Sequence, residues 1–398
     1  MTSQLKNIAD HHLLRGLFCQ ELGLWEGKTG MSIFFFLLSR HTGNRWYEEF
    51  AGELLDDVCS HLSQHCPVTF ADGLCGIGWA IEYLKKEGFI EGDTDEILAE
   101  VDKQVMERDV RRITDATLET GLVGIAAYVR SRLDSQRNTN STPFDSSYLE
   151  NLNNACLSMG IIWKSVNYSI DAIKNLILNK IKAPTFNDPI SWKHGICLFN
   201  KTKSLDHYGD HFITVQDTYE NELYHSPTKI ILIFQEESIA IQYGIGTYTH
   251  TLLECFDSSK WNINVITLHK GKDDVSFRLE NGIGYYDFPI PKEQFLSGNP
   301  YYEELYFRSV FYYLASRLNV KCIVILILPV IKFWLNASRN IWMLSTLILF
   351  IMQIGSLICW VIKKNWNVSL RSLLTPKSYA SNLNLKKKNS FYKKLVTV

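Results

Sequence analysis

Hydrophobic positions in the first third of the chain fall into two kinds of segment. One kind is apolar around most of its circumference, and a glycine doublet introduces it each time. The copies are Gly27-Lys28-Thr29-Gly30 before Met31-Ser32-Ile33-Phe34, Gly73-Leu74-Cys75-Gly76 before Ile77-Gly78-Trp79-Ala80-Ile81, and Gly121-Leu122-Val123-Gly124 before Ile125-Ala126-Ala127-Tyr128. The other kind is amphipathic. Over 95–110 the apolar Ile97, Leu98, Val101, Val105 and Met106 share one helical stripe, with Glu100, Asp102, Lys103 and Glu107 mostly off it. A helix apolar on all sides is enclosed, whereas an amphipathic one lies at a surface. The doublets begin at 27, 73 and 121, spacings of 46 and 48 residues. Such a period marks a helical repeat array, in which each unit buries its apolar face only against its neighbours. The alternation predicts a two-shell helical barrel, and glycine at each entry permits unusual backbone angles and close approach of a neighbour.

The pattern then changes. Ser, Asn, Gln and Thr dominate 134–154, which reads as an exposed loop. Helical character returns over 168–181, Pro184 and Pro189 break it, and the polar stretch 201–228 reads as a linker. From Lys229 the signals are those of strands: Ile230-Ile231-Leu232-Ile233-Phe234, Asn264-Val265-Ile266-Thr267-Leu268, and a third over 284–289. Tyr243-Gly244-Ile245-Gly246-Thr247 follows the first strand and leads to a helix through Leu252, Leu253 and Cys255. A second helix is predicted over 301–318. Strand, glycine loop, helix, strand opens a doubly wound α/β domain, with its ligand site at the carboxyl end of the first strand. The last segment is different again. Residues 341–362 carry no charge for 22 positions, long enough for a membrane-spanning helix. The apolar run 322–335 contains Pro329 and Lys332 and makes a poor second span.

Two resemblances follow from these motifs. Residues 7–133 resemble the first half of the lanthionine synthetase C-like proteins, whose Gly-Leu-x-Gly-Ile repeats line an α/α toroid. The motifs that carry it are Gly23-Leu24-Trp25-Glu26-Gly27-Lys28-Thr29-Gly30, Gly73-Leu74-Cys75-Gly76-Ile77-Gly78-Trp79 and Gly121-Leu122-Val123-Gly124-Ile125, with a damaged fourth copy at Trp192-Lys193-His194-Gly195-Ile196. The resemblance implies a zinc enzyme that makes a peptide cysteine thiolate and adds it to a dehydrated serine or threonine. Its metal is held by two cysteines and a histidine, in Trp-Cys-x-Gly and Cys-His-Gly motifs. Soft thiolate ligands and an open position suit that chemistry. This chain has neither motif, and Lys193 stands where a ligand cysteine would be. Residues 229–318 resemble the start of the acceptor-side domain of a subfamily-4-like glycosyltransferase, which implies sugar or phosphate contacts at Gly244, Ile245 and Gly246. The donor-binding half is absent.

Composition changes the picture chiefly in the tail. The net charge of −1 conceals 27 basic against 42 acidic residues through Glu304, and 14 basic against none from Leu305 onward. Read literally, the tail is a C-terminal anchor with basic residues on the cytoplasmic side. Alternatively, the joint scarcity of Asp, Glu, Gly and Ala, whose codons all begin with G, fits translation in a shifted frame. Val324 to Val330 can be back-translated so that the frame two bases later reads His-Phe-Asn-Phe-Thr-Gly. The nine cysteines are scattered with no Cys-x-x-Cys pair, and the N-terminus lacks an apolar signal core, which together imply a reducing cytoplasm.

Other candidate sites are read as structure. His61 and His65 beside Cys66, and His207 and His211 beside Asp206 and Asp210, have metal-like spacing but the character of solvated surfaces. Asp72 and Glu119 are expected to cap the inner helices that follow them. No Ser-His-Asp triad, phosphate loop or nucleic-acid surface is evident. The expected organisation is mainly α: a partial α/α toroid over 1–200, a linker over 201–228, a partial α/β Rossmann-like domain over 229–318, and a hydrophobic basic tail over 319–398 with a transmembrane helix at 341–362. The structural glycines are Gly27, Gly30, Gly73, Gly76, Gly121, Gly124 and Gly195. The expected function is a lanthionine synthetase C-like role in peptide modification without intact zinc catalysis, with no cofactor, no metal ligands and no catalytic residue assigned. Its partners would be a modified peptide or a second copy covering the open ring, and no nucleic acid. A truncated glycosyltransferase-related protein and a membrane-anchored interaction protein are the alternatives.

Overall fold

The computed structural model describes residues 3–62, 66–135, 142–180, 191–199, 214–226, 229–236, 253, 261–270, 275–290, 300–318, 320–326, 346–353, 356–363 and 369–373. It divides into two units, Met1–Asp210 and His211–Val398.

Among the described residues the first unit is helical: α1 (Ser3–Arg15), α2 (Lys28–Thr42), α3 (Arg45–His61), α4 (Leu74–Lys86), α5 (Thr94–Glu107), α6 (Leu122–Asp134), α7 (Ser146–Ser158), α8 (Ile170–Lys180) and α9 (Trp192–Leu198). The periodicity is realised as two shells. Most residues of α2, α4 and α6 are buried, while α3 and α5 bury one face. Each outer helix packs on the inner helix before it, α3 on α2 and α5 on α4, and α4 lies between α2 and α6. The outer helices start on side-chain caps: Asn44 Oδ1 accepts from Trp46 N–H at 3.1 Å, and Asp93 Oδ1 from Asp95 N–H at 2.9 Å.

Two expectations are corrected in this unit. Residues 134–154 are not one loop, because α7 begins at Ser146 and buries Tyr148, Leu152 and Cys156. Ile97 is 41% exposed and lies outside the core stripe of α5, whereas Asp102, read as a solvent-facing residue, is 3% exposed. The damaged fourth repeat forms α9, which packs against α1 and α2 and so covers part of the first inner helix.

The second unit begins with a helix where a linker was expected. α10 (Val215–His225) opens with a capping box in which Thr214 and Asp217 satisfy each other's backbone N–H groups. An eight-stranded sheet follows: β1 (Lys229–Glu236), β2 (Trp261–Lys270), β3 (Ser276–Glu280), β4 (Ile283–Ile290), β5 (Val320–Leu326), β6 (Thr346–Gln353), β7 (Ser356–Lys363) and β8 (Ser369–Leu373), in the order β3-β4-β2-β1-β5-β6-β7-β8. β4, β2, β1, β5 and β6 pair in parallel, and β3, β7 and β8 join antiparallel. Five successive β2 residues, Ile263 to Thr267, are buried, so both faces of the sheet are covered there. α11 (Pro300–Arg317) sets Tyr313 edge-on to Phe288 of β4, with ring centroids 5.4 Å apart.

The expected transmembrane helix is overturned. The described parts of 341–362 are β6 and β7, paired antiparallel from Thr346↔Lys363 to Gln353↔Ser356. Among the described residues no helix is long and apolar enough to cross a membrane. An uncharged run of 22 positions has the length of one span, and two consecutive strands with apolar sequences give the same run. Period alone does not separate these cases.

Candidate functional site

The repeat glycines act through space rather than through special backbone angles. Gly27, Gly73 and Gly121 are the N-caps of α2, α4 and α6, at φ −116°, −133° and −106°, ordinary extended values. A Cβ at Gly73 would lie 1.9 Å from the Pro67 carbonyl oxygen, and one at Gly76 1.9 Å from that of Phe70. The same contact, to the carbonyl six residues upstream, recurs at Gly27 (Glu21, 2.6 Å), Gly30 (Leu24, 2.2 Å), Gly121 (Asp115, 2.3 Å) and Gly124 (Leu118, 2.2 Å). The preceding loop therefore folds directly onto the helix entrance.

That closeness satisfies orphan donors at the helix start. The N–H groups of Lys28, Leu74 and Leu122 donate to the carbonyls of Glu21, Pro67 and Asp115 at 2.9 Å each, three equivalent bonds. The loops also bond to one another. Trp25 N–H donates to Ala71 O (2.7 Å), and Phe70 and Ala71 N–H donate to Glu119 O (2.9 Å each). Trp25, Ala71 and Glu119 occupy equivalent repeat positions, so a main-chain ladder runs across the entrances of the inner helices.

Asp72 does not cap the helix that follows it. The helix-start donors are already taken by loop carbonyls, and no side-chain cap is made at Gly73 or Gly121. Asp72 Oδ1 accepts instead from Glu26 N–H of the neighbouring loop, at 3.3 Å.

The fourth copy closes on the first. Gly195 sits on the Phe34 ring, where a Cβ would be 2.3 Å from Cε2, and Trp192 lies across the bare face of Gly30, 2.1 Å from the position of a Cβ there. Lys193 Nζ pairs with the Glu26 carboxylate. An ammonium has no lone pair to give a metal, and this one is engaged with an anion. The donor set therefore does not fit a site of two thiolates and an imidazole. The thiols agree. Burial raises the pKa of Cys19, Cys59 and Cys75, and brings Cys156 to about 11, so all four favour the protonated form. Among the described residues no group of three or more His, Cys, Asp and Glu could hold a metal ion.

Sequence reasoning missed a buried ionic cluster between repeats two and three. Arg132 of α6 reaches Glu82 of α4 (Nη1 to Oε1, 2.5 Å), Asp102 of α5 (Nη2 to Oδ2, 2.6 Å; Nε to Oδ1, 3.1 Å) and Asp95 (Nη1 to Oδ1, 3.1 Å). Tyr128 O–H donates to Asp102 at 2.5 Å, and Ser135 O–H donates to Glu82. Burial first, and the Asp102 charge second, push the Tyr128 pKa well up, which keeps its proton on this bond. The signal was present only as charges spread over three helices. Elsewhere, His61 Nδ1 lies 2.8 Å from Asp57 O and 3.3 Å from Asp57 Oδ1, and Asp57 is also paired with Lys28 at 2.5 Å. His65, His207, His211, Gly244, Ile245 and Gly246 lie outside the described residues.

Glycine-entered inner helices, an amphipathic outer shell and equivalent loops in a ladder define a helical-repeat scaffold. Residues 19–178 match the family described as lanthionine synthetase C-like protein. No curated protein and no solved structure matches the chain. The family match stops before Trp192 and gives the glycosyltransferase resemblance of 229–318 no support.

Proposed function

We propose that the first unit is a lanthionine synthetase C-like scaffold that engages a peptide undergoing modification and carries out no zinc-thiolate chemistry. One observation carries the reading: Lys193, at the repeat position where the family motif has a ligand cysteine, is ion-paired with Glu26. The metal content of the full chain, purified without chelator, tests it. Substoichiometric zinc and no thiol addition to a dehydrated peptide are expected, whereas stoichiometric zinc with thiol-dependent activity would overturn it.

The strand order favours a second reading, for the other unit. Its parallel strands run β4-β2-β1-β5-β6, the third-second-first-fourth-fifth order of doubly wound, Rossmann-like sheets. In such sheets ligands bind beyond the carboxyl end of the first strand, where the chain order reverses. Gly244, Ile245 and Gly246 follow β1 in the sequence and are proposed to contact a phosphate-bearing ligand. Calorimetric titration with inorganic phosphate and with a sugar phosphate checks this, and Gly244→Val is expected to abolish the heat of binding.

A further inference from the structure

The β3–β4 hairpin stands at one edge of the sheet. Among the described residues no strand pairs with the outer side of β3, and Ser276, Arg278, Leu279 and Glu280 are exposed. Such an edge presents unpaired N–H and C=O groups to another chain. The turn fixes which residues present them. Asn281 and Gly282, at φ 51° and 77°, make a two-residue type I′ turn, so Glu280 and Ile283 close it as a hydrogen-bonded pair. Alternation along the ladder then directs the backbone groups of Ser276, Arg278 and Glu280 toward β4 and those of Phe277 and Leu279 outward. The side chains divide in the same way. Phe277 meets Tyr219 of α10 and Tyr286 of β4, ring centroids 5.4 and 4.8 Å apart, and Leu279 on the same face is 43% exposed. Arg278 and Glu280 share the opposite face, Nε to Oε1 3.5 Å, with the guanidinium over the Tyr285 ring. Among the described residues the exposed large hydrophobics of this unit are Val215, Tyr224 and Leu279, all on α10 or β3.

We infer that β3 pairs antiparallel with β3 of a second copy of this chain, with the two-fold axis at Leu279. Charge selects this register. A pairing centred on Leu279 sets Arg278 opposite Glu280 of the second copy, and does so twice by symmetry. Both pairs fall at non-hydrogen-bonded positions, where facing Cα atoms are about 4.5 Å apart and side chains approach closely. Leu279 exchanges both of its outward backbone bonds with Leu279 of the second copy, and the two side chains meet on the face that carries α10. A pairing centred on Arg278 would oppose two guanidinium groups. One centred on Phe277 would leave Arg278 opposite Ser276, with no anion across the strand. Arg-Leu-Glu is therefore self-complementary in one register, and its charges disfavour indiscriminate edge pairing. The contact depends on neither the metal content of the first unit nor phosphate binding by the second.

Sedimentation velocity of the full chain over a dilution series, under reducing conditions, tests the pairing. The parent chain is expected to dimerise reversibly. Arg278→Glu and Glu280→Arg each place like charges opposite one another twice, and each is expected to weaken the dimer by about tenfold or more. Both side chains are about half exposed, 44% and 55%, so the fold tolerates the changes. An equimolar mixture of the two variants re-forms both opposite-charge pairs, and is expected to associate as tightly as the parent. Leu279→Pro deletes a donor that faces away from β4, and is expected to abolish the dimer while the β4 amides keep their exchange protection. A parent chain that stays monomeric across the series overturns the inference. So does a dimer indifferent to both charge variants, which would put the contact elsewhere, such as across the open helical ring. Absence of rescue in the mixture rejects the register, and with it the proposal. If Leu279→Pro does not fold, the two charge variants and their mixture decide alone.

Discussion

The two units join their elements by opposite means. In the first, glycines let loop backbone press onto helix entrances, and carbonyls such as Pro67 O accept from helix-start N–H groups. In the second, strand ladders do the joining, and α10 is linked by side chains to α11 and β4: Glu220 receives Arg317 of α11 at 2.5 Å and Tyr286 O–H of β4 at 3.2 Å. A contact that only glycine allows leaves a residue-specific mark. A ladder uses groups that almost every residue has, so it leaves none.

The largest way to break this comparison is at the buried charges, where the units are alike. Arg132→Leu leaves Glu82, Asp102 and Asp95 without their cation, and is expected to cost about 3–5 kcal/mol. Glu220→Leu, which removes the buried carboxylate that receives Arg317 and the Tyr286 hydroxyl, should be destabilising in the other unit as well. Native-state hydrogen exchange of α4 to α6, and of α10 and α11, measures the two losses separately. Equal protection in parent and variant would show that these clusters are dispensable.

The glycine contacts separate the units next. Gly76→Ala places a methyl against the Phe70 carbonyl and should destabilise by about 1–3 kcal/mol, although alanine is the better helix former. Gly52→Ala is the control. It sits mid-helix in α3 with nothing within 4 Å of its Cβ position, so a gain of about 0.5–1 kcal/mol is expected. Opposite signs in denaturant melts would support the contact, and a gain at both positions would remove the close-approach argument.

A smaller effect is expected in α1. Burial, and then the neighbouring His11, bring the His12 pKa down to about 3. The unfolded chain takes up this proton near pH 6.5 and the folded one does not, so stability is full above about 6.5 and is lost as pH falls toward 3. The slope is about 1.4 kcal/mol per pH unit between these limits. Protection of α1 amides between pH 6 and 4 should fall with this extra slope in the parent and without it in His12→Leu. Parallel slopes would place His12 in contact with water.

Legibility followed the same divide. The doublets located the starts of α2, α4 and α6, because the periodic glycines and the apolar runs behind them point the same way. Asp102 and Arg132 were illegible: on a single helix a charge reads as solvent-facing, and only three helices brought together reveal the pairing. α10 was hidden because its one buried face, Tyr219, Glu220 and Leu223, is partly polar. The run 341–362 was misread because an apolar run does not by itself say whether a helix or two strands carry it.

Sequence by itself determined the repeat period, the glycine entrances and the inner and outer helices of the first unit, since these depend on local spacing and on the volume of single residues. Tertiary structure alone decided that the fourth copy returns to the first, that Lys193 meets Glu26, that Asp102 is inside, and that the last apolar run divides into β6 and β7. Each of those outcomes depends on which distant surface a segment meets. Burial is a property of the pair and not of either sequence.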